Sequence, residues 1–213
     1  MLARTPRLPS HTKTVAPAKG VEAADIAAGL HLARAKDRPL VRALGTASEI
    51  GSWKSLLALS AGAYALGLLM RDRRLAGAGR HMLQAGILAG VVKTSLKRTV
   101  HRTRPNVLMD EGFYTRGWPG TNVGPWQSFP SGHSALSAAV ACAAARAFPE
   151  IKAPAYAVAT GVITAQVLRG AHFPADVLAG AAIGIAAEFA VDRLCTGAPR
   201  PMRGHDKFAD HSS

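Results

Sequence analysis

The sequence predicts an all-α fold, a membrane-embedded bundle of about five transmembrane helices preceded by an amphipathic helix. Three observations support this prediction. Five apolar stretches lie within residues 53–191. Hydrophobic residues make up 48% of the 213-residue chain, and the formal net charge is +13. Lys and Arg lie mainly between and around the stretches, where each cation near anionic lipid gains roughly 1 kcal/mol. The charge therefore suits an anionic bilayer or a phosphorylated substrate.

The chain begins with two segments that do not resemble membrane spans. Residues 1–20 combine Pro, Ser, Thr and basic residues without a central apolar run, so we expect a disordered basic tail and no signal peptide. Residues 21–51 alternate apolar and charged positions in a helical pattern that Pro39 is expected to break. Their apolar content is too low for a span, which predicts an amphipathic region on the membrane surface or capping the bundle.

The first apolar stretch, 53–70, carries one charge, Lys54, at its edge. At 1.5 Å per residue it is about 27 Å long, close to a hydrocarbon core of about 30 Å. The later stretches, 82–96, 133–148, 153–168 and 174–191, are shorter and rich in Ala and Gly. Such composition suits closely packed membrane helices, within one chain or between two, or the core of a soluble all-α protein. The length and composition of the first stretch favour a membrane protein. We therefore assign residues 52–196 to the bundle domain and residues 197–213 to a polar C-terminal tail.

Partners other than lipid find little support in the composition. Aromatic residues are only 6% and no nucleic-acid-binding module is recognised, so we expect no nucleic-acid partner. The two cysteines lie far apart and form no zinc-type cluster with histidine, so we expect no metal and no cofactor.

A loop of about 35 residues, 97–132, separates the second and third apolar stretches and is rich in Pro, Gly and Trp. Long loops of this kind are often functional. Two membrane crossings separate it from the short turn at 169–174. Both segments are therefore predicted on the same side of the membrane, where their side chains can meet.

Two cations near the start of that loop are spaced to act together. Lys97 and Arg104 are seven residues apart, about two turns, and would share one face of a helix. Two cations aimed at one point suit a phosphoryl group, and Arg can bind two of its oxygens. By itself, a basic run of this kind is also typical of interfacial anchoring.

The tetrapeptide that ends at His133 opens the third apolar stretch. Gly132 lets the backbone approach an oxyanion, and the unpaired N–H groups of a helix start bind anions. Ser131 adds a hydroxyl donor, and His133 is placed to protonate a leaving oxygen. The alternative interpretation is a capping serine followed by an ordinary histidine.

A second histidine precedes the fifth apolar stretch. Asp176 lies four residues after His172 and could accept a hydrogen bond from its ring, which would fix the tautomer. The other ring nitrogen would then be free to attack phosphorus. A purely structural His–Asp pair is the alternative for these two residues alone.

Taken together, Lys-x6-Arg-Pro, Pro-Ser-Gly-His and His-x3-Asp, in this order over residues 50–195, resemble the type 2 phosphatidic acid phosphatase superfamily. The resemblance implies a metal-independent phosphatase in which His172 is the nucleophile and forms a phosphohistidine. Asp176 would orient that ring, and His133 would be the general acid. The phosphoryl oxygens would be held by Lys97, Arg104, Ser131 and the backbone at Gly132, with Arg102 assisting Arg104.

One position departs from the family pattern. The third motif usually begins Ser-Arg, with the Arg six residues before the nucleophile, whereas this chain has Ala165 and Gln166. Gln can donate a hydrogen bond but brings no charge. Arg169, nearly one helical turn further on, is the residue expected to reach the same oxygens together with Gln166. The departure keeps open a degenerate relative that binds or moves anionic lipid, and vanadate-dependent halide oxidation is a third alternative.

The expected substrate is a lipid phosphomonoester or diphosphate. Phosphatidic acid, phosphatidylglycerol phosphate, a polyprenyl diphosphate, lipid A and a glycosylated polyprenyl phosphate are the candidates. The basic loop 71–80 and the C-terminal tail share one face of the bundle, which favours a cytoplasmic location for that face. The site would then face outward from a cell inner membrane, although the basic N-terminal segment favours the opposite orientation.

Overall fold

A computed structural model of the chain describes residues 20–120 and 123–196, and helices dominate them. The predicted all-α class is confirmed. The predicted tails, 1–20 and 197–213, lie outside the described residues except for Gly20. The helices are α1 Val21–Leu32, α2 Pro39–Ala47, α3 Trp53–Leu69, α4 Arg73–Thr99, α5 Pro105–Glu111, α6 Gly132–Ala147, α7 Lys152–Leu168 and α8 Pro174–Thr196.

Helices α3 and α4 form a tight antiparallel hairpin. The Asp72 side chain caps α4 by accepting hydrogen bonds from the N–H groups of Arg74 and Leu75, at 2.8 and 3.0 Å. The helices approach so closely that a Cβ atom at Gly67 or Gly79 would collide with backbone of the opposing helix. Glycine at these two positions therefore fixes the hairpin geometry.

Helix α6 is the centre of the bundle, and α4, α7 and α8 pack around it. Its alanines Ala135 and Ala139 are fully buried in a cluster with alanines of α4 and α8. A Cβ atom at Gly180 or Gly184 of α8 would collide with α6 backbone carbonyls. Small residues thus set the α6–α8 distance, as their abundance predicted.

Within the described residues, two helical segments are long and apolar enough to cross a membrane, Pro149–Leu168 and Pro174–Cys195, with mean hydropathies of 1.2 and 1.5. Helix α3 is apolar but shorter. The second predicted stretch is part of the 27-residue α4, which starts nine residues before its predicted beginning at 82. The count of five spans stays a prediction. Exposed apolar side chains on α3, α7 and α8 suit a bilayer, among them Leu59, Leu66, Val158, Leu178 and Phe189.

The N-terminal region 21–51 consists of α1, α2 and two 3-10 turns, Ala33–Ala35 and Ser48–Gly51. It caps one end of the bundle, where α1 contacts α5, α7 and α8 and the second turn contacts α6 and α7. Gly29 of α1 lies so close to the ring of Phe173 that a Cβ atom could not be accommodated. Capping the bundle, one of the two predicted positions, is therefore what the structure shows.

The long loop is ordered by short elements. Strand β1, His101–Arg102, pairs in antiparallel register with β2, Arg116–Gly117. The Asn106 N–H donates to the carbonyl of Gly170, and the Ser131 N–H donates to that of Asp176, at 2.8 and 3.0 Å. The predicted meeting of this loop with the turn at 169–174 is confirmed.

Candidate active site

A cationic pocket of about 410 Å³ opens at the capped end of the bundle. It lies where α4 and α7 end and α6 begins, beside the turn Ser48–Gly51. Of the nine predicted site residues, two are buried behind the pocket, Ser131 and Asp176. The other seven line it: Lys97, Arg104, Gly132, His133, Gln166, Arg169 and His172.

His172 follows α7 in a turn that Gly170 makes with a φ of 72°. The N–H groups of Ala171 and His172 bond back to the carbonyl of Gln166, which ends the helix. The His172 Nδ1 lies 2.7 Å from the carbonyl oxygen of Ser128. Because a carbonyl only accepts, Nδ1 carries the proton and Nε2 keeps its lone pair.

Burial lowers the pKa of His172 well below its usual range, and the nearby charges of Arg104 and Lys97 act in the same direction. The imidazole is 3% exposed and is neutral near pH 7. A neutral ring with a free Nε2 is the form that attacks phosphorus.

Asp176 does not hold the His172 ring directly, which corrects the prediction. Its Oδ2 is 4.0 Å from Nδ1, beyond hydrogen-bond range. The carboxylate instead accepts bonds from the Arg102 guanidinium at 2.7 Å, the Ser128 hydroxyl and the Phe173 N–H. The bond to Phe173, at the start of α8, is a capping bond that draws the side chain back along its own helix. Asp176 therefore orients the ring through Ser128.

Arg102 anchors this network from below instead of assisting Arg104. Its guanidinium also donates to Asp25 of α1 at 2.7 Å and to the Tyr114 hydroxyl at 3.0 Å. It lies over the ring of Phe173, 4.3 Å from the centroid. Burial raises the pKa of Tyr114 to about 12, so the phenol stays protonated. We call Asp25, Arg102, Tyr114, Ser128 and Asp176 the floor of the site.

Lys97 and Arg104 meet in the pocket, but they do so for a different reason from the predicted one. Helix α4 ends at Thr99, and Arg104 lies beyond β1 as the residue before α5, so no helix face is shared. Backbone carbonyls hold the two cations, with Lys97 Nζ 2.9 Å from Gln127 O and Arg104 Nε 2.9 Å from Gly124 O. Burial and the neighbouring Arg169 lower the pKa of Arg104 from its usual value.

Lys93 and Lys54 are further cations of the pocket that lie outside the three motifs. Lys93 precedes Lys97 by one helical turn, and this spacing was the signal that could have identified it. The cationic lining is therefore Lys54, Lys93, Lys97, Arg104 and Arg169. Charge of this density suits a phosphoryl group.

The start of α6 has the predicted serine cap and lies at the pocket. Ser131 is the N-cap, fully buried, and its hydroxyl accepts hydrogen bonds from Ser134. Gly132 and His133 follow in the first turn, where backbone N–H groups lack helical partners, and both line the pocket. The His133 Nε2 lies 3.3 Å from the carboxylate of Glu49.

Gln166 occupies the place of the missing arginine and is fully buried. Its Nε2 donates to the Ser48 hydroxyl at 3.0 Å, while its Oε1 has no hydrogen-bond partner in the described part of the chain. Arg169 also reaches the pocket, but its guanidinium donates to Glu49 at 2.8 Å and to the Gly45 carbonyl at 3.2 Å. We call Ser48, Glu49, His133, Gln166 and Arg169 the wall of the site.

No motif predicted the residues that the N-terminal region contributes to the floor and the wall. These are Asp25 in the floor, and Ser48 and Glu49 in the wall. Their partners within the floor and the wall lie 77 to 120 positions away in the chain. Within residues 20–120 and 123–196, no group of three or more His, Cys, Asp or Glu side chains is arranged to hold a metal ion.

Two solved structures share this fold. Aquifex aeolicus LpxE aligns with a TM-score of 0.58 and 23% identity over 78% of this chain and 92% of its own. A transmembrane PAP2 type phosphatidylglycerolphosphate phosphatase from Bacillus subtilis aligns with a TM-score of 0.59 and 21% identity over 84% of this chain and 88% of its own. At these identities the likeness concerns the fold alone.

Two sequence relatives are named lipid A 1-phosphatase, from Rhizobium etli and Rhizobium johnstonii. Each is 34% identical over 106 residues, which is 50% of this chain and 45% and 43% of the respective relative. The match thus spans less than half the length of either relative. The family model described as PAP2 superfamily matches residues 78–195 and includes both pocket histidines. That match covers more than half of the chain, and the chain therefore belongs to the PAP2 superfamily.

Proposed function

We propose that this protein is an integral membrane phosphatase that hydrolyses a phosphorylated lipid through a phosphohistidine at His172. The observation that carries the proposal is a buried, neutral imidazole whose Nδ1 is bonded to backbone, at a pocket lined by five cations. A free Nε2 supplies the nucleophile. Preorganised cations stabilise charge that develops on the transferring phosphoryl group, which is the main requirement of this chemistry.

The reaction has two halves. In the first, His172 Nε2 forms a bond to phosphorus as the bond to the leaving oxygen breaks, and His133 gives that oxygen a proton. In the second, water attacks phosphorus, its proton passes to His133, and the P–N bond breaks to release phosphate. Lys97, Arg104 and the N–H groups at Gly132 would hold the phosphoryl oxygens in both halves, with Ser131 beside them.

A lipid substrate is supported by an apolar groove of about 480 Å³ between α3, α6 and α7. The groove begins at Ile50 and Gly51, next to Glu49 of the cationic pocket. Along α6 it extends from Ser137 to Phe148, about 17 Å at 1.5 Å per residue. One hydrocarbon chain could lie there while its phosphate occupies the pocket. Among the candidate substrates, the names of the relatives favour testing lipid A and phosphatidylglycerol phosphate first.

The wall supports a second candidate, a non-catalytic lipid-binding protein. Gln166 replaces a cation, and Arg169, the proposed substitute, is already paired with a carboxylate. For either candidate we propose a multi-pass protein of a cell inner membrane. The predicted loop 71–80 is instead the turn before α4 and the first residues of that helix. The site would face outward because this basic segment lies at the opposite end of α4.

The test is phosphate release by purified protein in detergent and EDTA, from lipid phosphates that differ in headgroup and chain length. We expect turnover in wild type, an acid-labile phosphoenzyme, and a loss of more than about a thousandfold in His172→Ala. His31→Ala is the matched control because that imidazole is exposed on α1. A wild type that releases no phosphate from any substrate but binds lipid phosphate would favour the non-catalytic candidate.

A further inference from the structure

Glu49 is a carboxylate inside an anion-binding pocket. The turn Ser48–Gly51 carries it to the pocket lining, where Oε2 is 3.3 Å from His133 Nε2 and Oε1 is 2.8 Å from Arg169 Nη1. A carboxylate at this place repels a phosphorylated substrate. Its presence beside five cations therefore calls for a role other than substrate binding.

The two pocket histidines are held by different chemistry. His172 Nδ1 faces a backbone carbonyl, which fixes one neutral tautomer without offering a full charge to the ring. His133 Nε2 faces the carboxylate of Glu49, which favours the protonated ring. A carboxylate against the ring is the arrangement that stabilises an imidazolium, so the hydrogen-bond partners separate the candidate acid, His133, from the nucleophile, His172.

We infer that Glu49 is the positioning residue of the general acid, holding the His133 imidazolium ready to protonate the leaving oxygen. This inference rests on the proposed function. With the Nε2 proton directed at Glu49, Nδ1 is the nitrogen that gives its proton to the leaving oxygen and takes one from water in the second half. Arg169 binds the other carboxylate oxygen and so fixes the direction of the first.

The charges that face His133 show why a carboxylate is required. From the other elements, Arg104, Arg169 and His172 face the ring, and Lys93 lies beside Gly132. Each cation among them disfavours a positive imidazolium. Glu49 is the one carboxylate bonded to His133 among the described residues. The hydrogen bond from Arg169 lowers the pKa of Glu49 and keeps it ionised.

The test compares two leaving groups with Glu49→Gln. An alkyl phosphate needs a proton on its departing oxygen, whereas 4-nitrophenyl phosphate releases a stable phenolate without one. We expect kcat/KM for an alkyl lipid phosphate to fall about tenfold more than kcat/KM for 4-nitrophenyl phosphate. The alkaline limb of the kcat/KM profile for the alkyl substrate should move about one pH unit lower.

Asp37→Asn is the matched control, because it removes an exposed carboxylate from the same N-terminal region. A second variant, Glu49→Ala, should recover part of its alkyl phosphatase activity in added formate, which restores a carboxylate. Equal losses of kcat/KM on both substrates, without a pH shift or formate rescue, would overturn the inference while leaving the phosphatase intact. A wild type inactive on both substrates would instead contradict the proposed function.

Discussion

The floor and the wall of the site are adjacent, yet their polar groups are satisfied to different degrees. In the floor, Arg102 and Asp176 form a buried ion pair at 2.7 Å, and each makes further hydrogen bonds. In the wall, the Glu49 side chain is 52% exposed, and the Gln166 Oε1 has no partner in the described residues. The floor is therefore complete before substrate arrives, whereas the wall is partly open to solvent and keeps the Gln166 acceptor unpaired among the described residues.

Because of this difference, we expect the floor to control mainly the stability of the protein and the wall to control mainly its turnover. Burying an ion pair is favourable only when its remaining donors and acceptors are satisfied, and removal of one partner leaves an uncompensated charge. An exposed pair contributes at most about 1 kcal/mol, because water screens it. Changes in the floor should therefore affect unfolding first, and changes in the wall should affect turnover first.

Arg102→Ala should have the largest effect. It leaves Asp176 and Asp25 buried without their cation, and we expect the free energy of unfolding to fall by about 3–5 kcal/mol. The measurement is thermal unfolding in detergent, with Arg34→Ala, an exposed position in the same N-terminal cap, as the control. A change in the unfolding free energy no larger than that of the control would break the contrast between floor and wall.

Asp25→Asn should have an intermediate effect on the floor. The amide keeps the side-chain size but weakens the bonds to Arg102 and to the Ala175 N–H, at 2.7 and 2.8 Å. Hydrogen bonds to charged groups contribute about 1.5–3 kcal/mol, so we expect a loss of about 2 kcal/mol of unfolding free energy. Asp37→Asn, in an exposed pair, should change it by less than about 1 kcal/mol. If both variants behave alike, α1 is not fastened through Asp25.

Part of the site could be read from the sequence because its histidines and most of its cations fall in three spaced motifs. Lys97 and Arg104 line one pocket, as predicted, but the shared helix face was wrong, since α4 ends five residues before Arg104. Asp176 was predicted beside His172 from its spacing alone. The backbone carbonyl of Ser128 competes successfully for Nδ1, and no residue pattern reports the position of a carbonyl.

The N-terminal contribution could not be predicted for a different reason. The pattern of residues 21–51 predicted helices with an amphipathic character. It carried no information on which residues, 77 or more positions away, would form hydrogen bonds with their side chains. Glu49 and Asp25 therefore looked like ordinary charges of a solvated face, and only the packing of α1 and α2 over the bundle end gives them partners.

Gln166→Arg should have the smallest effect on stability when phosphate is bound, and it tests the wall most directly. A guanidinium at this buried position would lie near Arg104 and Arg169, and Glu49 is already paired with Arg169 and His133, so the new charge is compensated only when phosphate is bound. We expect about tenfold tighter inhibition by inorganic phosphate, together with a Tm that phosphate raises more than in wild type. Gln166→Met, which removes the amide and adds no charge, is the control. If Gln166→Arg neither tightens phosphate binding nor gains stability from phosphate, position 166 does not face the phosphoryl group, and the departure from the family pattern has no direct consequence for phosphate binding.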